Sequence, residues 1–356
     1  MPARVARATR LPEYLAGLYA LMIVYASLES FSGWLAPLPG TPFFLFAPWS
    51  PRFTRFDIAV NILAYAPFGF LVALSGTGRS SPMRFLQATG AGALLSLAME
   101  TMQMFIPTRD ASTLDFACNV AGAAAGGLAA LAFNRIPGLR AGVAAWRRRV
   151  FTDGRTADLG LSLLVVWLLA QLNPGIPLFA ATFDPSLELT RDLAGTLLQA
   201  AESAFNVLGV GLFLELMLRQ RRLVGGAVLT LIVVALLLKG AAAMVLIRQS
   251  VLETWIKPGV SLGVAAGALT LLLAVWLPRP VRTTMCAVAL LASLVPPLLA
   301  PDMWRARAPL ALFDWPYGQL LNFNGLTRAV LVAWPLVASM YVLWTAARRG
   351  AAEEPV

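Results

Sequence analysis

Ten apolar runs, at residues 14–34, 57–75, 85–106, 112–133, 159–173, 193–217, 225–247, 259–277, 283–300 and 326–346, divide this chain almost end to end. Most approach the roughly 20 residues an α-helix needs to cross about 30 Å of hydrocarbon. In lipid, backbone N–H and C=O groups must find partners inside the protein, so runs of this length form helices. The sequence therefore specifies an all-α, polytopic transmembrane helix bundle of about ten spans. With 58% hydrophobic and only 13% charged residues over 356 positions, no stretch is left for a soluble domain of useful size.

The net charge of +10 would suit nucleic acid if it formed a patch, but the basic residues sit at the ends of the apolar runs, as topology signals do. With the N-terminus inside, inner segments hold 18 of the 28 Lys and Arg, outer segments hold nine, and Lys239 lies within a span. Every inner loop is basic, so both termini are expected inside. The basic start "MPARVARATR" leads into the first run. A cleaved signal peptide is the other reading, but the run is long for one and favours a retained helix. The outer loops "APLPGTPFFLFAPWSPRFTR" and "APLALFDWPYGQLLNFNG" are rich in Pro and aromatic residues, and suit either the headgroup layer or a cap over a pocket.

There is no histidine. Its absence removes the commonest metal ligand, the usual general base and every Ser-His or Cys-His pair. Cys118 and Cys286 stand singly in apolar runs, which suggests neither a zinc site nor a disulfide framework. No cofactor is indicated, no nucleophile motif is recognisable, and the balance tells against an enzyme.

Polar residues inside spans are costly and are functional candidates by default. Three of the runs bring such residues to the same depth. Asp57 and Asn61 lie four apart at the start of the second, Glu100 and Gln103 three apart near the end of the third, and Asp115 and Asn119 four apart at the start of the fourth. Arg109 sits in the short turn between the last two. Helix caps and interhelical hydrogen bonds are the bland explanation. Glu100, about two turns inside its run, resists it. After Asn119, Gly122 and Gly126 form a G-x-x-x-G on the same stripe as Asp115, a packing signal for a neighbouring helix.

"YASL", "DIAVNILAYAPFGFL" and "ETMQMFIPTRDASTLDFACNVAGAAAG", in that order and spacing, resemble the VanZ-like family of bacterial membrane proteins over about residues 12–134. The resemblance implies a role in the cell envelope, an association with low-level resistance to a glycopeptide antibiotic, and the seven polar positions as the family's signature. With the arginine distribution, which sets both termini on the cytoplasmic side, it implies a multi-pass protein of the bacterial cytoplasmic (inner) membrane. The end of the first run departs from the family's aromatic-Pro-Phe pattern and reads "SLESFSG", which adds Glu29. The organisation expected is a VanZ-like four-helix domain at 12–134, a basic cytoplasmic linker at 135–158 and a second membrane domain of six helices at 159–346.

"ESAFNVLGVGLFL" at 202–214 echoes "DIAVNILAYAPFGF", with Glu202 and Asn206 at the four-residue step of Asp57 and Asn61. Lys239 and Arg248 are then nine apart, as are Glu100 and Arg109. Residues 159–277 are thus a candidate degenerate repeat of the first domain, with Glu202 and Lys239 as a candidate structural ion pair. The function expected is binding of a membrane lipid or lipid-linked envelope intermediate through an outer-leaflet polar pocket. Proton- or cation-coupled transport of a small solute is the alternative.

Overall fold

A computed structural model describes residues 9–29, 31–48, 54–76, 78–174, 176, 178–179, 193–246, 257–299 and 318–353; Arg248 lies outside them. In chain order the helices are α1 (Leu11–Leu28), α2 (Arg55–Ser75), α3 (Ser81–Gln103), α4 (Thr113–Arg135), α5 (Pro137–Val150), α6 (Arg155–Ala170), α7 (Leu193–Met217), α8 (Val224–Leu246), α9 (Pro258–Ala274), α10 (Arg279–Ala292), α11 (Val295–Leu299) and α12 (Gly318–Glu353). Among the described residues there is no strand beyond one isolated bridge, Phe151 with Leu218. The protein is an all-α bundle, and each of the ten apolar runs holds a helix. Among the described residues, seven helical segments are long and apolar enough to cross a membrane. The other three runs differ for simple reasons: α6 and α9 have only 16 and 17 residues, and α3, with 23, is less apolar. The helix α5 is additional, forming within the basic stretch after α4.

The chain divides into two compact units, residues 1–148 with 153–158, and residues 149–152 with 159–356. In the first, α1 packs on α2 and α3, and α2 packs most closely on α4. Glycines set that closeness. A Cβ on Gly122 would overlap the Ile62 carbonyl, one on Gly126 the Ala66 carbonyl, and one on Gly69 the Ala123 backbone. Small residues let helices approach backbone to backbone, where dispersion replaces the hydrophobic drive that lipid does not supply. Tyr65, Phe68, Met99 and Ile106 fill the core beside this contact.

In the second unit α7 is buried along most of its length and packs on α9 and α10, with α10 against α12. Gly259, Gly263 and Gly267, one per turn of α9, lie against α7; a Cβ on Gly267 would come 2.6 Å from the Ala204 carbonyl and 2.9 Å from the Val207 Cβ. Trp334 stacks between Trp167 and Phe213 at 6.3 and 5.3 Å and donates its indole N–H to the Leu163 carbonyl at 2.7 Å.

Candidate functional site

The site lies at the end of the first unit where α2 and α4 begin and α3 finishes. The helix starts decide which carboxylates face inward. Thr54 and Asp57 form a capping box: the Asp57 N–H donates to Thr54 Oγ1 at 3.2 Å, and Thr54 returns its N–H and hydroxyl to Asp57 Oδ2 at 2.9 and 2.7 Å. Ser112 caps α4, accepting from the N–H groups of Leu114 and Asp115 at 3.1 and 3.4 Å. Its own N–H goes elsewhere, to Glu100 Oε2 at 2.9 Å. Glu100 thereby takes the role that Asp57 plays on α2. Asp115, released from capping, accepts instead from the side-chain amide of Asn61 across the α2–α4 contact.

One turn deeper, Asn119 donates to the hydroxyl of the fully buried Ser96 on α3 at 3.0 Å, and its own Oδ1 has no hydrogen-bond partner. The Tyr65 hydroxyl is buried close to Ser96 and within electrostatic reach of Glu100. Gln103 points the other way, donating to the Ser27 carbonyl at the end of α1 at 3.0 Å. Above α4, Phe44 in a short 3-10 turn is 1% exposed, stacks on Phe116 at 6.2 Å and accepts the Thr113 hydroxyl at 2.6 Å. Phe44 thus anchors the segment 31–48 to the start of α4. Phe31, at φ 46, holds a left-handed backbone rare for a residue with a Cβ, within the departure "SLESFSG".

Electrostatically, Glu100 and Asp115 lie within reach of each other, and Asp115 within reach of Asp57. Among the described residues none of these three carboxylates makes an ion pair. Arg109 does not fill that gap. It donates to the Glu29 carbonyl at 3.4 Å, and burial pushes its guanidinium below its ordinary range while the Glu29 charge opposes that shift. Nor do the carboxylates converge on a metal geometry, since among the described residues no three acidic, Cys or His side chains are so arranged.

The structure therefore brings Asn61, Glu100, Asp115 and Asn119 into one connected end. Asp57 caps beside it, Gln103 faces α1, and Arg109 donates to the Glu29 carbonyl. Sequence reasoning passed over Thr54, Ser112, Ser96 and Tyr65. The first two carry a legible signal, because "TRFD" and "STLD" are both the S/T-x-x-D pattern of a capping box. In the second unit, Asn206 donates to the Glu202 carbonyl of its own helix at 3.1 Å. Lys239, fully buried, donates to the carbonyls of Asn173 and Ile176 at 2.7 and 2.8 Å.

No curated protein and no solved structure matches the chain. The family model described as VanZ/LLP1 matches residues 15–134, about a third of the chain, a segment that holds every residue of this site, and over that segment the chain is similar to the VanZ-like family.

Proposed function

We propose that the VanZ-like domain binds a lipid-linked or otherwise amphiphilic component of the bacterial envelope through this polar end, from the outer leaflet of the cytoplasmic membrane. One observation carries the reading: Asp57, Glu100 and Asp115 gather at one end of a helix bundle with only neutral hydrogen-bond donors for company. Carboxylates held this way inside a bundle are costly unless used. A headgroup bearing hydroxyl or amine donors would offset that cost. The resistance association that the family resemblance implies would act through that ligand. Transport coupled to a proton or cation is a second reading, favoured by the electrostatic coupling of Glu100 and Asp115.

Mass spectrometry of lipid co-purified with the full chain and with Glu100→Gln tests this. The amide keeps an oxygen for the Ser112 N–H, so the fold is expected to persist. One amphiphile class should be enriched with the native chain and lost from the variant. Equal lipid profiles would overturn binding. Uptake of a solute driven by a proton or cation gradient in vesicles would move the function to transport.

A further inference from the structure

The helix α5 lies outside the site, and the family match ends before it begins. Its 14 residues are too few and too polar to span a bilayer, since they rise only about 21 Å. None of its residues is buried. Ile136 just before it, then Leu139, Val143, Trp146 and Val150, recur at steps of three and four, which places them on one stripe of a helix. Ile136, Leu139, Val143 and Trp146 are 52%, 46%, 48% and 58% exposed, a row of large apolar side chains turned outward.

The remaining faces are basic. Residues 135–150 contain Arg135, Arg140, Arg147, Arg148 and Arg149 and no acidic residue. Arg147 is committed within the first unit, joined to Asp158 and, at 3.3 Å, to Asp153. Arg135, Arg140, Arg148 and Arg149 are exposed. On a helical projection Arg140 flanks one edge of the apolar stripe and Arg149 the other, while Arg148 lies opposite. Apolar stripe, interfacial Trp and flanking arginines are the composition of a helix lying in the plane of a membrane surface. The chain leads directly into it from α4, a spanning helix whose last residue is Arg135, so the polypeptide enters α5 at the membrane boundary.

We propose that α5 is an in-plane interfacial helix that binds the headgroups of anionic phospholipids, with Ile136, Leu139, Val143, Trp146 and Val150 among the upper acyl chains, Arg140 and Arg149 at the phosphates, and Arg148 facing water. The unbroken positive charge argues for an anionic lipid surface rather than a protein partner. Each basic residue near such a surface is worth roughly a fivefold preference.

The test uses the full chain reconstituted in vesicles of phosphatidylcholine alone or mixed with phosphatidylglycerol. Nitroxide labels are placed singly through L139C, V143C and W146C on the stripe and A141C and R148C opposite; the native Cys118 and Cys286 are buried. Stripe labels should be open to oxygen and shielded from a water-soluble nickel chelate, the opposite labels the reverse, with the contrast growing as phosphatidylglycerol is added. In the double variant R140Q/R149Q, preference for spin-labelled phosphatidylglycerol over phosphatidylcholine should fall by about 25-fold. Stripe labels as open to nickel as the opposite ones would overturn the proposal, as would labels shielded from both reagents, which would mean a protein cover. An unchanged lipid preference in the double variant would equally overturn it.

Discussion

Two four-residue stretches with the same pattern, "TRFD" and "STLD", start α2 and α4, yet their acids end in different places. Asp57 closes its own capping box. Asp115 cannot, because Glu100 has taken the Ser112 N–H, and so it crosses to Asn61. A single hydrogen bond from a neighbouring helix thus converts a capping acid into a site acid. If so, Asn61 is the donor that makes Asp115 tolerable. Asn61→Leu should lower the stability of the purified chain by about 1–3 kcal/mol, the cost of leaving a part-buried acceptor unsatisfied. The double change Asn61→Leu with Asp115→Leu should recover most of that loss. Thermal unfolding in detergent measures both, and a double variant worse than the single would mean that the pair is not coupled as described. Helical spacing alone puts Asp57 and Asn61 on one face and marks Glu100 as too deep for a cap. It does not reveal that Asn61 serves another helix, or that Arg109 turns to Glu29, since both depend on contacts between residues 54 and 80 positions apart in sequence.

At the scale of helices, glycine placement governs how closely elements meet. Gly126 faces backbone, the Ala66 carbonyl and the Phe70 nitrogen, so no rotamer change relieves an added methyl. Gly126→Ala should therefore cost about 1–3 kcal/mol through overpacking. Gly90 on α3 has open space around its Cβ direction, and Gly90→Ala should be neutral or stabilising by up to about 1 kcal/mol through helix propensity. Denaturation of the two variants side by side separates packing from propensity, and equal effects would remove the glycine argument. The helices themselves were legible because apolar length is a strong signal, and the all-α class follows from it. The α9 stripe of Gly259, Gly263 and Gly267 has the same four-residue spacing as Gly122 and Gly126 but was passed over, hidden among many small residues. The helix α5 escaped for the opposite reason: its periodicity is clear, but its stretch is short and rich in arginine, which reads as a linker.

If the second unit repeats the first, its glycines should keep a register with its acid. A Cβ on Gly122 meets Ile62, five residues past Asp57; one on Gly267 meets first Ala204, two residues past Glu202, and then Val207, five past it. One turn further, Gly126 meets Ala66, and Gly211 meets Leu271, each nine residues past the same acid. Under that reading the chemistry differs between the two copies. Seven residues before its glycine α4 has Asp115, whereas α9 has the buried Val260, so Asn206 has no carboxylate there to meet and bonds within its own helix. A scaffold repeated in parallel requires α2 and α7 to run the same way through the membrane. That holds if α1, α2, α3, α4 and α6 cross and α5 does not, which is also what an in-plane α5 demands. The arginine distribution gives the direction. Reporter fusions after residues 45 and 110 should read outside, and those after 78, 142 and 220 inside. A fusion at 220 reading outside while 142 reads inside would set α7 against α2, and no parallel repeat would survive it.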